Sequence, residues 1–201
     1  MIQFDNAVER YNKVILAELT TAGINCWLAG GVLRDYFMGI YIKTDYDLFF
    51  PDEAEYKKAE RYFLVNGAKV KWESDNGMKV VYNGNIYDLV KKFFATPQET
   101  IDNFDFTVSM FAVDGKTVYH GETSFIDLSK RQLMMNKITY PASTMKRAFR
   151  YYKKGFSMCV GEMKKLIEAI QAMPIEANNT QPNEGDEMSS GDMAKFFIGI
   201  D

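Results

Sequence analysis

Apolar residues Val8, Tyr11, Ile15 and Leu19 recur every three or four positions through residues 5–22, a spacing that predicts an amphipathic helix with Asp5 as N-cap and Gly23 as stop. The pattern then changes. Residues 25–29 (NCWLA) form a short apolar run ending in Gly30-Gly31, and VLRDYFMG suits about two helical turns closed by Gly39, so this unit reads strand, diglycine turn, short helix. TDYDLFF alternates like a strand, and DEAEYKKAERYFLVNG reads as a polar helix stopped by glycine. Three β-like runs follow, AKVKWES, MKVVYNG and NIYDLV, with Asp75-Asn76-Gly77 and Asn83-Gly84-Asn85 as hairpin signals between them. Beyond Thr96-Pro97 the stretch PQETIDNFDFTVSMFAVD is helical or mixed, and short β-like pieces fall at residues 117–119 and 132–136. A helix over 142–154 with Ser143 as its cap and Gly155 as its stop, and a second over 160–173, complete the predicted elements.

Composition narrows the chemistry. The 201 residues, 47% of them hydrophobic, suffice for one compact domain or one domain with an appendage, which excludes a wholly disordered chain. No uncharged apolar run of about 18 residues occurs, and MIQFDNAVER lacks the features of a secretory leader, so the expected setting is the cytosol with no membrane partner. Cys26, Cys159 and the single His120 cannot assemble a Cys/His zinc cluster, and a histidine triad would have to use His120 in the turn-like YHGETS. Chemistry must come mostly from carboxylates, basic residues and backbone amides. Charge is also uneven: Leu128 to Met158 holds eight Lys or Arg and no acid, whereas Ile175 to Asp192 holds five acids and no base. The basic stretch is either a polyanion-attracting surface or a solvated helix face.

Asp45 and Asp47 are one residue apart in a β-like segment, so the pleat points both carboxylates to one face. Like charges so placed are tolerated when solvent or a hard divalent cation screens them. Gly30-Gly31, between strand and helix, is either an ordinary tight turn or a place where bare amides approach a phosphate. Arg34 and Asp35 are either a fixed cation with its partner or a plain surface ion pair. Asp88, among apolar Ile86, Tyr87 and Leu89, needs a partner or an ion unless it lies exposed at a sheet edge. Three carboxylates from neighbouring strands facing a diglycine turn make a two-metal phosphoryl-transfer site, with Asp45, Asp47 and Asp88 as ligands of two Mg2+ ions and an NTP as substrate.

The string LAGGVLRDYFMGIYIKTDYDLFF resembles the signature of the DNA polymerase β-like nucleotidyltransferase superfamily, particularly the head domain of class II poly(A) polymerases and tRNA CCA-adding enzymes. Gly30, Gly31, Arg34, Asp35, Gly39, Asp45 and Asp47 match that signature, with Leu33 in place of the usual valine. FDFTVSMFAVD resembles the family's ribose-recognition segment through Asp105, Phe106 and Thr107, and MKRAFRYYKKGF resembles its head-to-neck helix through Arg147, Arg150, Gly155 and Phe156. The resemblance covers roughly residues 25–156. It implies an α+β polymerase β-like nucleotidyltransferase fold, a mixed sheet flanked by helices with a short helical neck. It further implies that Gly30, Gly31 and Arg34 hold triphosphate, that Asp105 positions the ribose, and that Arg147 and Arg150 contact phosphate or base.

Departures from the pattern carry information too. Asn103 and Phe104 stand where the family has two arginines, and YPAST at 140–144 does not supply the element that reads the incoming base in CCA-adding relatives. The large helical body that holds tRNA in the full-length enzymes is not expected in this chain. The expected organisation is a head domain at 1–138, a helical neck at 139–173, a flexible acidic linker at 174–192 and a short apolar segment at 193–201 that docks back or binds a second copy or a partner protein. The expected activity is transfer of an NMP to a hydroxyl, foremost an RNA or tRNA 3' end. The alternatives are a protein or small-molecule acceptor, or a non-catalytic nucleotide-binding or assembly module.

Overall fold

The computed structural model describes residues 4–40 and 45–173. The chain divides into two compact units, the first ending at Lys137 and the second starting at Ile138. The predicted linker and apolar terminal segment lie outside the described residues.

In the first unit the expected opening helix is a continuous helical run in three parts: α1 (Phe4–Tyr11), a π segment (Asn12–Leu16) and α2 (Ala17–Thr21). Asp5 lies inside its first turn rather than at its cap. The π segment widens the helix where the Asn12 amide donates to the Gly115 carbonyl at 2.7 Å. There follow β1 (Trp27–Ala29), α3 (Gly31–Phe37), β2 (Tyr46–Phe49), α4 (Glu53–Val65), β3 (Lys69–Ser74), β4 (Gly77–Tyr82) and β5 (Asn85–Val90). The first unit closes with α5 (Pro97–Asp102), a 3-10 turn (Thr107–Ser109), β6 (Phe111–Val113), β7 (Val118–His120) and α6 (Ser124–Ser129). Helix α4 starts where the Asp52 side chain accepts from the Glu55 amide, and α5 where Thr96 accepts from Glu99 and Pro97 fills the first turn. The β-like reading of 132–136 does not give a strand: Met135 makes an isolated bridge with Phe106, and Gln132 lies in another isolated bridge.

The seven strands form one mixed sheet in the order β3-β4-β5-β2-β1-β6-β7. Only β2 and β5 run parallel, because α4 and the β3–β4 hairpin form the crossover between them. One face carries Leu48, Tyr87, Leu89 and Val80 into the core. There Tyr87 stacks on Tyr46 at 5.4 Å and meets Phe63 of α4 at 5.3 Å. The opposite face carries a second cluster of Trp27, Ala29, Phe49, Phe94, Ile101, Met110 and Ala112, and the Trp27 indole donates to Thr100 at 2.9 Å. Both sides are thus covered along the middle of the sheet, as the α+β expectation requires. No helix among the described residues is long and apolar enough to cross a membrane.

The second unit contains α7 (Pro141–Lys153) and α8 (Val160–Gln171). Pro141 opens α7, and Ser143, expected as the cap, lies within the helix. A proline suits the first turn because its missing N–H would have no intrahelical partner there.

Candidate active site

Strand pairing builds the acidic cluster. In the parallel pair β2–β5, Asp47 is directly opposite Asp88, and the two-residue period places Asp45 on the same face. Strand β5 is interior, so the sheet-edge alternative for Asp88 does not hold. On its other side β5 pairs with β4, which sets Lys79 opposite Asp88. The Lys79 ammonium lies 2.7 Å from Asp45 Oδ2 and 3.1 Å from Asp88 Oδ2. Further along the same face the charge gives way to the apolar Phe49 cluster.

Asp47 has the most perturbed carboxyl. It retains a partial opening to solvent, but protein crowds its carboxyl closely, and this burial, joined by the charges of Asp88 and Asp45, pushes its pKa up to about 7 against the pull of Lys79 and Arg34. Burial also raises Asp88, with Lys79 opposing. For Lys79, burial is the largest single influence and works downward. The hydrogen bonds and charges of Asp45 and Asp88 together outweigh it and hold the ammonium above its ordinary value.

The diglycine turn borders this cluster. Gly30 adopts φ +85° and ψ −130°, a conformation that favours glycine, and an added Cβ would lie 3.8 Å from Asp47 Oδ2 and 3.7 Å from the Phe104 ring. Its amide donates to the Phe111 carbonyl at 2.8 Å. The expectation of two bare amides therefore narrows to Gly31, and what Gly30 contributes is close approach. Arg34 and Asp35 are no surface pair: their side chains are 5% and 8% exposed, with Arg34 Nη2 2.6 Å from Asp35 Oδ1. The guanidinium lies along Gly31, 3.5 Å from where a Cβ would stand. It braces the turn and lowers the Asp47 carboxyl from nearby.

The Asp105 segment is anchored by its neighbours. Phe106 is buried, the Thr107 hydroxyl donates to Asp127 at 2.8 Å, and the Asp105 carbonyl accepts from the Asn136 amide at 2.7 Å. Asp105 itself is half-buried and directly follows Phe104, whose ring packs 5.9 Å from Phe49. The Asn103 side chain accepts from Lys137 Nζ at 2.6 Å. Arg147 and Arg150 lie on α7 of the second unit, the first half-buried and the second exposed. Cys26 is a buried thiol that burial pushes up to about 12, consistent with an inert core residue.

Lys79 is the member of the cluster that the sequence reading missed. The signal was present: counting back from the two-residue Asn83-Gly84 turn pairs residue 79 with residue 88.

The donor set suits a hard divalent cation, since three carboxylates lie together and the most crowded of them is pushed up by burial and by the charges of the other two. Among the described residues, however, no three acidic, histidine or cysteine side chains stand together as a ready metal cage. The ammonium of Lys79 joins two of the three acids instead.

The mixed sheet that carries the diglycine turn and the paired aspartates has a nucleotidyltransferase-like fold, as its likeness to solved structures shows. A tRNA-processing enzyme in its apo form matches with a TM-score of 0.59 and 18% identity over 90% of this chain and 50% of that one. The Bacillus stearothermophilus CCA-adding enzyme in complex with CTP matches with a TM-score of 0.58 and 22% identity over 76% and 41%. A tRNA nucleotidyltransferase complexed with a primer tRNA and an incoming ATP analog gives 0.56 and 18% over 78% and 49%. The chain spans about half the length of these structures or less. Residues 3–131 match the Gabija anti-defense 2 family, and the chain belongs to that family. No curated protein matches it.

Proposed function

We propose that this protein is a nucleotidyltransferase that moves a nucleoside monophosphate from an NTP to a hydroxyl acceptor with the help of Mg2+. The observation that carries the reading is the side-by-side register of Asp47 and Asp88, with Asp45 on the same face and Gly30 alongside. Asp45, Asp47 and Asp88 would hold two Mg2+ ions, which when bound supply charge neutralisation for the triphosphate and a lowered pKa for the attacking hydroxyl. Asp88, raised by burial, is the group assigned to receive the acceptor proton. Gly31 and Arg34 are assigned to the triphosphate, with Gly30 giving it room, and Asp105 to the ribose. The aromatic Phe104 beside Gly30 replaces charge with an apolar wall, which supports contact with a sugar or base over contact with phosphate. Arg147 and Arg150 are candidates for phosphate or base contact.

For the acceptor, the polymerase-like fold supports an RNA 3' end. The anti-defense description of the family supports a second reading, modification of a protein or small molecule belonging to a defence system. We place the reaction in the cytosol. The test is incubation with each labelled NTP, Mg2+ and either RNA or host lysate, followed by gel and mass-spectrometric detection of the adduct. Label transferred by the wild type and lost in Asp45→Ala and Asp47→Ala supports the reading, and the labelled species identifies the acceptor. Transfer that persists unchanged in both variants refutes it.

A further inference from the structure

Lys79 has no task in the chemistry proposed above, yet its ammonium is within hydrogen-bonding distance of two of the three carboxylates. It approaches Oδ2 of Asp45 and Oδ2 of Asp88, oxygens of the two acids that a divalent cation would also need. An ammonium is a compact cation with three donors, so it can satisfy both carboxylates while leaving Asp47 without an ion-pair partner among the contacts it makes. Its long stem rises from β4, one strand in from the sheet edge, and the side chain is 30% exposed. The residue opposite it on β3, Trp72, is also open to solvent. The ammonium therefore has a route outward that needs only rotation about its own side-chain bonds.

Resting on the nucleotidyltransferase reading, we propose that Lys79 is a resident counter-cation that competes with the divalent metal for Asp45 and Asp88, holding the acidic cluster together without metal and leaving when the metal enters. Two features of the site follow from this. The three acids persist beside one another without a metal because the ammonium offsets their repulsion. They do not stand as a preformed cage because the ammonium occupies the position between two of them.

The test uses the full chain and needs no substrate. Mn2+ is titrated into wild type, Lys79→Met, Lys79→Gln and Lys79→Arg, and free Mn2+ is read by electron paramagnetic resonance. Removal of the competitor tightens Mn2+ binding by about ten-fold or more in Lys79→Met and Lys79→Gln, while Lys79→Arg, which keeps a cation, stays within a few-fold of wild type. A second measurement on the wild type alone is independent of how the variants fold: reductive methylation of Lys79, quantified by peptide mass spectrometry, rises several-fold at saturating Mg2+. If the wild type binds Mn2+ but the neutral variants bind it no more tightly, or if metal leaves Lys79 labelling unchanged, the counter-cation role is wrong and the metal site stands. If no form binds Mn2+, the metal-dependent reading fails and this inference falls with it.

Discussion

Strands β2 and β5 carry opposite chemistry on their two faces. On one, Leu48 and Leu89 are adjacent and sealed, 0% and 1% exposed. On the other, one residue earlier in each strand, Asp47 and Asp88 are adjacent and crowded by like charge. The same backbone hydrogen bonds serve both pairs. The apolar face therefore fixes the register in which the acidic face must exist, and whatever repulsion Lys79 leaves between the acids is borne by packing they do not take part in.

Substitutions on the two faces should separate accordingly. The largest effect falls on activity: Asp47→Ala lowers nucleotidyl transfer by on the order of 10^3-fold, as for other groups that stabilise transition-state charge, with the far-UV circular dichroism spectrum retained. A fully folded variant with near-normal transfer would show that the acidic face is not the catalytic one. Next, Leu48→Ala costs about 2–5 kcal/mol in urea unfolding, the range for a cavity in a sealed core. A loss well below 1 kcal/mol would mean that this face does not set the register.

Asp47→Asn sharpens the contrast because it should stabilise. The folded carboxyl titrates near 7, whereas an unfolded aspartate titrates near 3.9. Between these values the native state binds a proton that the unfolded state does not, so wild-type stability falls as pH rises through this window and the penalty is complete above it. Below about pH 4 both states are protonated and the penalty vanishes. The variant should exceed wild type by about 2–4 kcal/mol at pH 8 and match it near pH 4, read from urea midpoints at each pH. A gap independent of pH would assign the effect to something other than charge. The smallest effect belongs to Phe104→Ala, about 1 kcal/mol, since the ring is half-buried and packs on Phe49 from the rim of the apolar cluster. A change in NTP preference larger than the change in stability would place Phe104 in contact with the nucleotide.

The legible part of this molecule was local. Asp45 and Asp47 share a face because of the pleat, Gly30 marks a turn because its backbone conformation favours glycine, and Asp52 and Thr96 begin helices through their own side chains. What escaped needed partners distant in the chain. Residues 132–136 have the apolar content of a strand, but they make isolated bridges, such as Met135 with Phe106, and no ladder. Helix α6 is six residues long, too short to show a period, and is tied down by Asp127, which accepts from Thr107 and Thr123. Ser143 is a good cap by type, yet Pro141 starts α7 two residues sooner. Arg34 and Asp35 read as a surface pair or a fixed cation with its partner, and only the packed structure shows them buried beside the turn.

The parallel pairing of β2 with β5 has a consequence for how the molecule comes into being. Asp45 and Asp47 emerge first, and Asp88 can join them only after α4 and the β3–β4 hairpin have doubled the chain back. Closing that crossover is a nonlocal event, expected late in folding. A nascent or partly folded chain therefore carries two acids beside a diglycine bend but not the third, and the trio is completed in one step, with the strand that fills the middle of the sheet.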